Sequence, residues 1–159
     1  VYYSGFSPIP DASAVLPLKS PPLVREHRLY QADWLYRCYG FTLEEIAAGT
    51  AEGMLPLDID PKLAWALANR ALFPVDINRA PKEMLLRVPS LGTRAVGRIL
   101  ETRRYHALRL DDVARLTTSI RKLKPWITTV DWRPGGALDD LGLRRRLAVP
   151  PKQLELFAA

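Results

Sequence analysis

The sequence predicts a mainly α-helical fold built on two successive helical hairpins, preceded by an irregular arm that contains a short strand. Three observations predict it. Apolar residues recur at three-to-four spacing through most of the chain, prolines and glycines cut it into short helical lengths, and one two-helix unit is followed by a weaker echo of itself. The 159 residues are enough for a sizeable core, and 48% hydrophobic with 25% charged residues suits a globular chain.

The opening "VYYSGFSPIP" is aromatic and β-prone and is broken by Pro8 and Pro10, which predicts a short strand and a turn. A start at Val1 in such a run reads as the middle of a longer protein. Pro17, Pro21 and Pro22 keep the next stretch irregular. In "LVREHRLYQADWLYRCYG" Leu29, Ala32, Leu35, Tyr36 and Tyr39 share one helical face, and Gly40 stands where the helix ends. Thr42 with Glu45 forms a capping box for a short helix ending near Gly49. Asp60 followed by Pro61 starts another, continued through "PKLAWALANRAL".

Asn78 and Pro81 mark the start of a helix whose apolar side is Met84, Leu85 and Val88, and Pro89 stops it. A partner helix begins at Thr93, with Val96, Ile99 and Leu100 on one face. The joining "PSLG" lets Leu91 point into the core between them. The echo is "LRLDDVARLTTSIRKLKPWITTV": Asp111 or Asp112 caps a helix through Val113 and Leu116, "TTS" turns it, and Ile120 and Leu123 line the next. Its glycine is gone. From "DWRPGG" onward the composition predicts mostly irregular chain. The organisation expected is an arm with helices over 1–60, tandem hairpins over 61–130, and a basic tail over 131–159.

Charge is divided unevenly. Residues 1–60 hold four Lys/Arg against eight Asp/Glu, and residues 61–159 hold nineteen against nine. Twelve basic residues and four acidic ones lie between Arg79 and Lys124, which favours a polyanionic partner. Cys38 is the lone cysteine, so no disulfide framework or thiolate metal site is available, and a reducing, cytoplasmic setting fits. No apolar run reaches the roughly 20 residues of a membrane helix. His27 and His106 stand far apart and at no metal-ligand spacing.

"LLRVPSLGTRAVGRIL" resembles the helix-hairpin-helix family of non-sequence-specific DNA-binding motifs. Leu91 and Gly92 match its pattern, Ser90 stands at the first glycine, and Val96 replaces the usual alanine. With the degenerate second copy the resemblance runs from Val75 to about Val130, and the pairing is similar to competence-type DNA receptors. It implies double-stranded DNA as partner and a contact set of Ser90, Leu91, Gly92, Thr93, Arg94, Ala95 and Arg98, with Arg121 and Lys122 from the second copy. The amides of Ser90, Gly92 and Ala95 would face a phosphate, because a helix N-terminus carries unpaired N–H groups and partial positive charge. Gly92 would let the backbone turn tightly and approach the ligand. Some members hold a monovalent cation on hairpin carbonyls; the equivalents here are Leu86, Val88 and Leu91.

"VYYSGFSPIP" followed by "REHRLYQADWL" resembles the C-terminal region of a DNA modification or repair family of radical S-adenosylmethionine proteins. That implies a 4Fe–4S cluster and S-adenosylmethionine in a preceding catalytic part, and no cofactor or catalytic residue in this chain. The closing "QLELF" resembles the bacterial sliding-clamp-binding pentapeptide, with Gln153 at a pocket rim and Leu154, Leu156 and Phe157 filling it. Two other readings compete: a protein-interaction module whose hairpins only pack, and a helix-hairpin-helix DNA glycosylase using Asp139 or Asp140.

Overall fold

The computed structural model describes residues 2–8 and 19–148, and the protein is mainly helical. Its α-helices are α1 (Leu23–Tyr39), α2 (Leu43–Ala48), α3 (Pro61–Ala68), α4 (Lys82–Arg87), α5 (Thr93–Thr102), α6 (Leu110–Leu116), α7 (Ile120–Leu123) and α8 (Leu143–Leu147). Two short strands, β1 (Val75–Asp76) and β2 (Ile127–Thr128), complete the regular structure.

Local chemistry accounts for most boundaries. Gly40 ends α1 in the left-handed region at φ 68°, where its missing Cβ removes the steric cost. Thr42 and Glu45 form the expected reciprocal cap on α2. The Asp60 carboxylate accepts the Leu63 N–H and Pro61 occupies the first turn of α3. Gly49 has a packing role: a Cβ there would stand 2.9 Å from the Trp65 nitrogen, so only glycine lets the end of α2 meet α3 this closely.

Four expectations need correction. Residues 2–8 form no strand; Tyr3 instead donates its N–H to the Tyr30 hydroxyl at 3.1 Å and sets its ring edge-on to Tyr30. The helix from Pro61 stops at Ala68 and becomes a 3-10 turn over Arg70–Leu72, because the Asn69 side chain donates to the Trp65 carbonyl and competes with the ladder. Neither Asp111 nor Asp112 is the N-cap of α6. That position is Arg109, whose N–H donates to Asp112, while Asp131 accepts the Leu110 N–H from across the fold. The segment after Trp132 is not wholly irregular: Leu138 and Leu143 are buried, and burying them orders a 3-10 turn at Gly135–Leu138 and helix α8.

The core is one cluster running from Leu35 to Leu143. Its spine is a chain of edge-to-face aromatic rings, Phe41 on Trp65 (5.5 Å), Trp65 on Phe73 (6.2 Å) and Phe73 on Trp126 (5.1 Å). This spine fastens the early helices to the later ones. The α4–α5 and α6–α7 pairs are tied by β1 and β2, which lie parallel with Val75 opposite Ile127 and Asp76 opposite Thr128. Buried Leu85, Val88, Leu91, Val96 and Ile99 from the first pair meet Leu108, Val113 and Leu123 from the second in the same core. Burial of such side chains stabilises by about 1.5–3 kcal/mol each. On α1 only Leu35 is fully buried; Leu29 and Tyr36 face solvent, so the predicted apolar face of that helix is only partly covered.

Candidate nucleic-acid interface

The loop between α4 and α5 is built from the inside outward. Val88 and Leu91 sink into the core, and the Leu91 N–H closes a turn onto the Val88 carbonyl at 3.2 Å. Ser90, between them, is thereby pushed outward at φ 63°. It takes the left-handed conformation that glycine adopts without penalty. Gly92 does not make the tight turn: it is the extended N-cap of α5 at φ −83° and ψ 163°. The tight turn expected at Gly92 is made by Ser90 instead.

The first turn of α5 has no side-chain cap, and the amides of Ser90, Gly92, Thr93, Arg94 and Ala95 donate to no acceptor among the described residues. Arg94 and Arg98 are exposed on α5, one turn apart, with no ion-pair partner among the described residues. A Cβ on Gly92 would meet only the Tyr39 hydroxyl, at 3.8 Å, so this backbone is open to approach. Five free donors, a helix N-terminus and two free guanidinium groups make an anion-binding surface. Leu91 differs from its neighbours. Its side chain is buried, its N–H is used in the turn, and its carbonyl accepts from Lys62 Nζ at 2.6 Å.

The second pair contributes less. Helix α7 is one turn long, and Arg121 and Lys122 are exposed on it. Tertiary packing nevertheless brings Lys122 near the first loop. Lys122 and Ser90 line one cavity of about 170 Å³, together with Arg28, Asp60 and Trp126. Arg121 lies further along, in a groove shared with Arg146 of α8.

Many of the basic residues in the Arg79–Lys124 block serve the fold. Arg87 forks onto Glu45 at 2.6 and 2.7 Å and also donates to the Gly40 carbonyl. That contact holds the Glu45 carboxyl below its usual range. Arg103 donates to the carbonyls of Ile77 and Ala80, and Arg109 pairs with Asp131. Arg94, Arg98, Arg121 and Lys122 stay exposed and unpaired among the described residues.

Lys62 was not anticipated. It is 7% exposed at the start of α3, and its ammonium stands 4.6 Å from the centroid of the Tyr39 ring. Burial pulls its pKa down to about 7, Asp60 opposing the shift and Arg87 adding to it. A lysine within the apolar "PKLAWALA" was the available signal. The expected carbonyl site for a monovalent cation fits poorly here, because Lys62 holds the Leu91 carbonyl and the Leu91 N–H takes the Val88 carbonyl.

Among the described residues no group of three His, Cys, Asp or Glu side chains is placed to hold a metal ion, and no helix is long and apolar enough to cross a membrane. Asp140 pairs with Arg146 and accepts the Gly142 N–H, while Asp139 lies exposed beside the Gly136 turn. Gln153, Leu154, Leu156 and Phe157 lie outside the described residues. Comparison with protein-family models, with curated proteins and with solved structures finds no match to this chain.

Proposed function

We propose that the chain binds double-stranded DNA without sequence preference, through the first of two tandem helix-hairpin-helix units, the second being degenerate. The observation that carries the reading is the α5 N-terminus: unbonded amides at Ser90, Gly92 and Ala95, with Arg94 and Arg98 free on the same helix. These groups match a phosphate in charge and donor number, and backbone amides that hold a phosphate carry no sequence information. Lys122 beside Ser90 adds positive field from the second unit.

The wider setting of the proposal is a DNA modification or repair protein in the cytoplasm of a bacterium. The iron–sulfur cluster of the resembled radical family would need a three-cysteine motif, and Cys38 is the lone cysteine of this sequence. The "QLELF" segment would tether it to a sliding clamp, which supplies effective concentration to a weak, sequence-blind contact. The test is titration of labelled duplexes of unrelated sequence at several salt concentrations. Similar affinity for all of them, falling steeply with salt, supports the reading; no binding at low salt removes it.

A further inference from the structure

We propose that Lys62 takes the place of a metal ion at the first hairpin, its tethered amino group holding the Leu91 carbonyl and setting positive charge one residue before the N-cap of α5. The inference rests on the helix-hairpin-helix reading and departs from what that reading implies about a cation.

The geometry is specific. Lys62 Nζ lies 2.6 Å from the Leu91 oxygen, and that is its only hydrogen bond among the described residues. The face of Tyr39 from α1 covers it at 4.6 Å, and the Tyr39 hydroxyl is also the atom nearest to where a Gly92 Cβ would stand. The charged groups around it are Asp60 and Arg87. Asp60 uses a carboxylate oxygen on the Leu63 N–H, and Arg87 is engaged by Glu45. Lys62 is therefore a buried cation without a carboxylate partner, placed in the first turn of a helix where the dipole also disfavours it.

Such a placement costs stability, and it does what a small cation would do. It draws a loop carbonyl inward, so that the chain on either side turns its amides out. It also places a positive group under an anion-binding surface, on the protein side where water does not screen it. A metal ion on the Leu91 carbonyl would meet the like charge of the ammonium 2.6 Å from that oxygen.

The test uses the full chain at about pH 6, where the amine carries its proton, in potassium, sodium or choline chloride at one ionic strength. The Gly92 and Thr93 amide resonances and the affinity for a labelled duplex are followed together. The expected result is the same amide positions and affinity in all three salts. Lys62→Ala should bind duplex roughly tenfold more weakly, the size of one charged hydrogen bond. Potassium, unlike choline, should restore part of that loss. A saturable potassium-induced shift of the wild-type amides overturns the assignment. So does full affinity of Lys62→Ala without any cation response. Should Lys62→Ala not fold, the wild-type amides decide the question alone. If the wild type ignores duplex in every salt while its amides stay blind to potassium, the DNA reading falls and the Lys62 assignment stands.

Discussion

Asn78 holds both backbone groups of Leu108: its amide nitrogen donates to the Leu108 carbonyl at 3.1 Å, and its amide oxygen accepts the Leu108 N–H at 2.7 Å. A side chain thus continues, by one more pair of bonds, the join that β1 and β2 begin between the two helix pairs. Asn78 also folds its own N–H onto Asp76, so the turn before α4 and the link to α6 are made at one residue. Asn78→Ala leaves the buried Leu108 N–H without a partner and its carbonyl with only the Val130 N–H at 3.4 Å, and should cost about 1–3 kcal/mol in urea unfolding. Asn78→Asp keeps the acceptor and loses the donor, so it should fall between the two.

Ser90 and Gly92 separate stability from binding. Ser90→Gly places glycine in the left-handed position and should raise stability by roughly 0.5–1 kcal/mol. Gly92→Ala meets no steric obstacle at φ −83° and should leave the melting temperature unchanged or slightly higher. Its methyl nevertheless stands on the proposed phosphate surface. Duplex affinity should drop, and calorimetry beside anisotropy would show the two effects moving apart.

Arg94→Glu with Arg98→Glu should weaken all duplexes alike and reduce the slope of log affinity on log salt by up to about 2. Both side chains are exposed and unpaired among the described residues, so circular dichroism and unfolding should stay close to wild type. Unchanged affinity at low salt would place the DNA surface elsewhere.

Lys62 predicts a distinctive pH dependence. Its folded pKa lies near 7 and its unfolded value near 10.5, so between them the unfolded chain holds the extra proton. Stability contributed by this group therefore rises as pH increases through that window and is at its lowest below about 7. Lys62→Met should remove that slope in parallel denaturant titrations. Glu45 shifts stability in the same direction, but in the acid range. Its carboxyl is depressed by Arg87, so its contribution is full above the ordinary carboxylate range and fades as pH falls through the lowered folded value. Glu45→Gln should flatten the acid limb.

For the tail, a peptide of sequence "PPKQLELFAA" should bind a bacterial sliding clamp with roughly micromolar affinity, a few apolar anchors offsetting the cost of ordering it. Leu154→Ala and Phe157→Ala should each remove most of that binding, and Glu155→Ala little. Deleting residues 153–157 should leave duplex affinity intact without the clamp and abolish the gain that the clamp provides.

Local rules decided much of this protein from sequence alone. Helix α1 ending at Gly40, the Thr42–Glu45 cap, the Asp60–Pro61 start of α3 and the break at Pro89 all depend on interactions within about four residues, which a sequence displays directly. The placing of Arg94 and Arg98 on one face of a helix follows from their spacing in the same way, and the fold leaves that face exposed. Tertiary structure decided what depends on distant partners. Asp131 reaches Leu110 across 21 residues and moves the start of α6. The buried Leu143 orders α8 in a stretch whose composition reads as loop, and Tyr3 gives up a strand for a contact with Tyr30. Ser90 enters the left-handed region because Val88 and Leu91 on either side are drawn into the core, and no pattern of neighbouring residues states that. Lys62 meets the Leu91 carbonyl across 29 residues, in a space that exists only once α1, α3 and the hairpin have packed. The sequence displays short-range chemistry; the burial of a charge against a remote carbonyl is a property of the folded core.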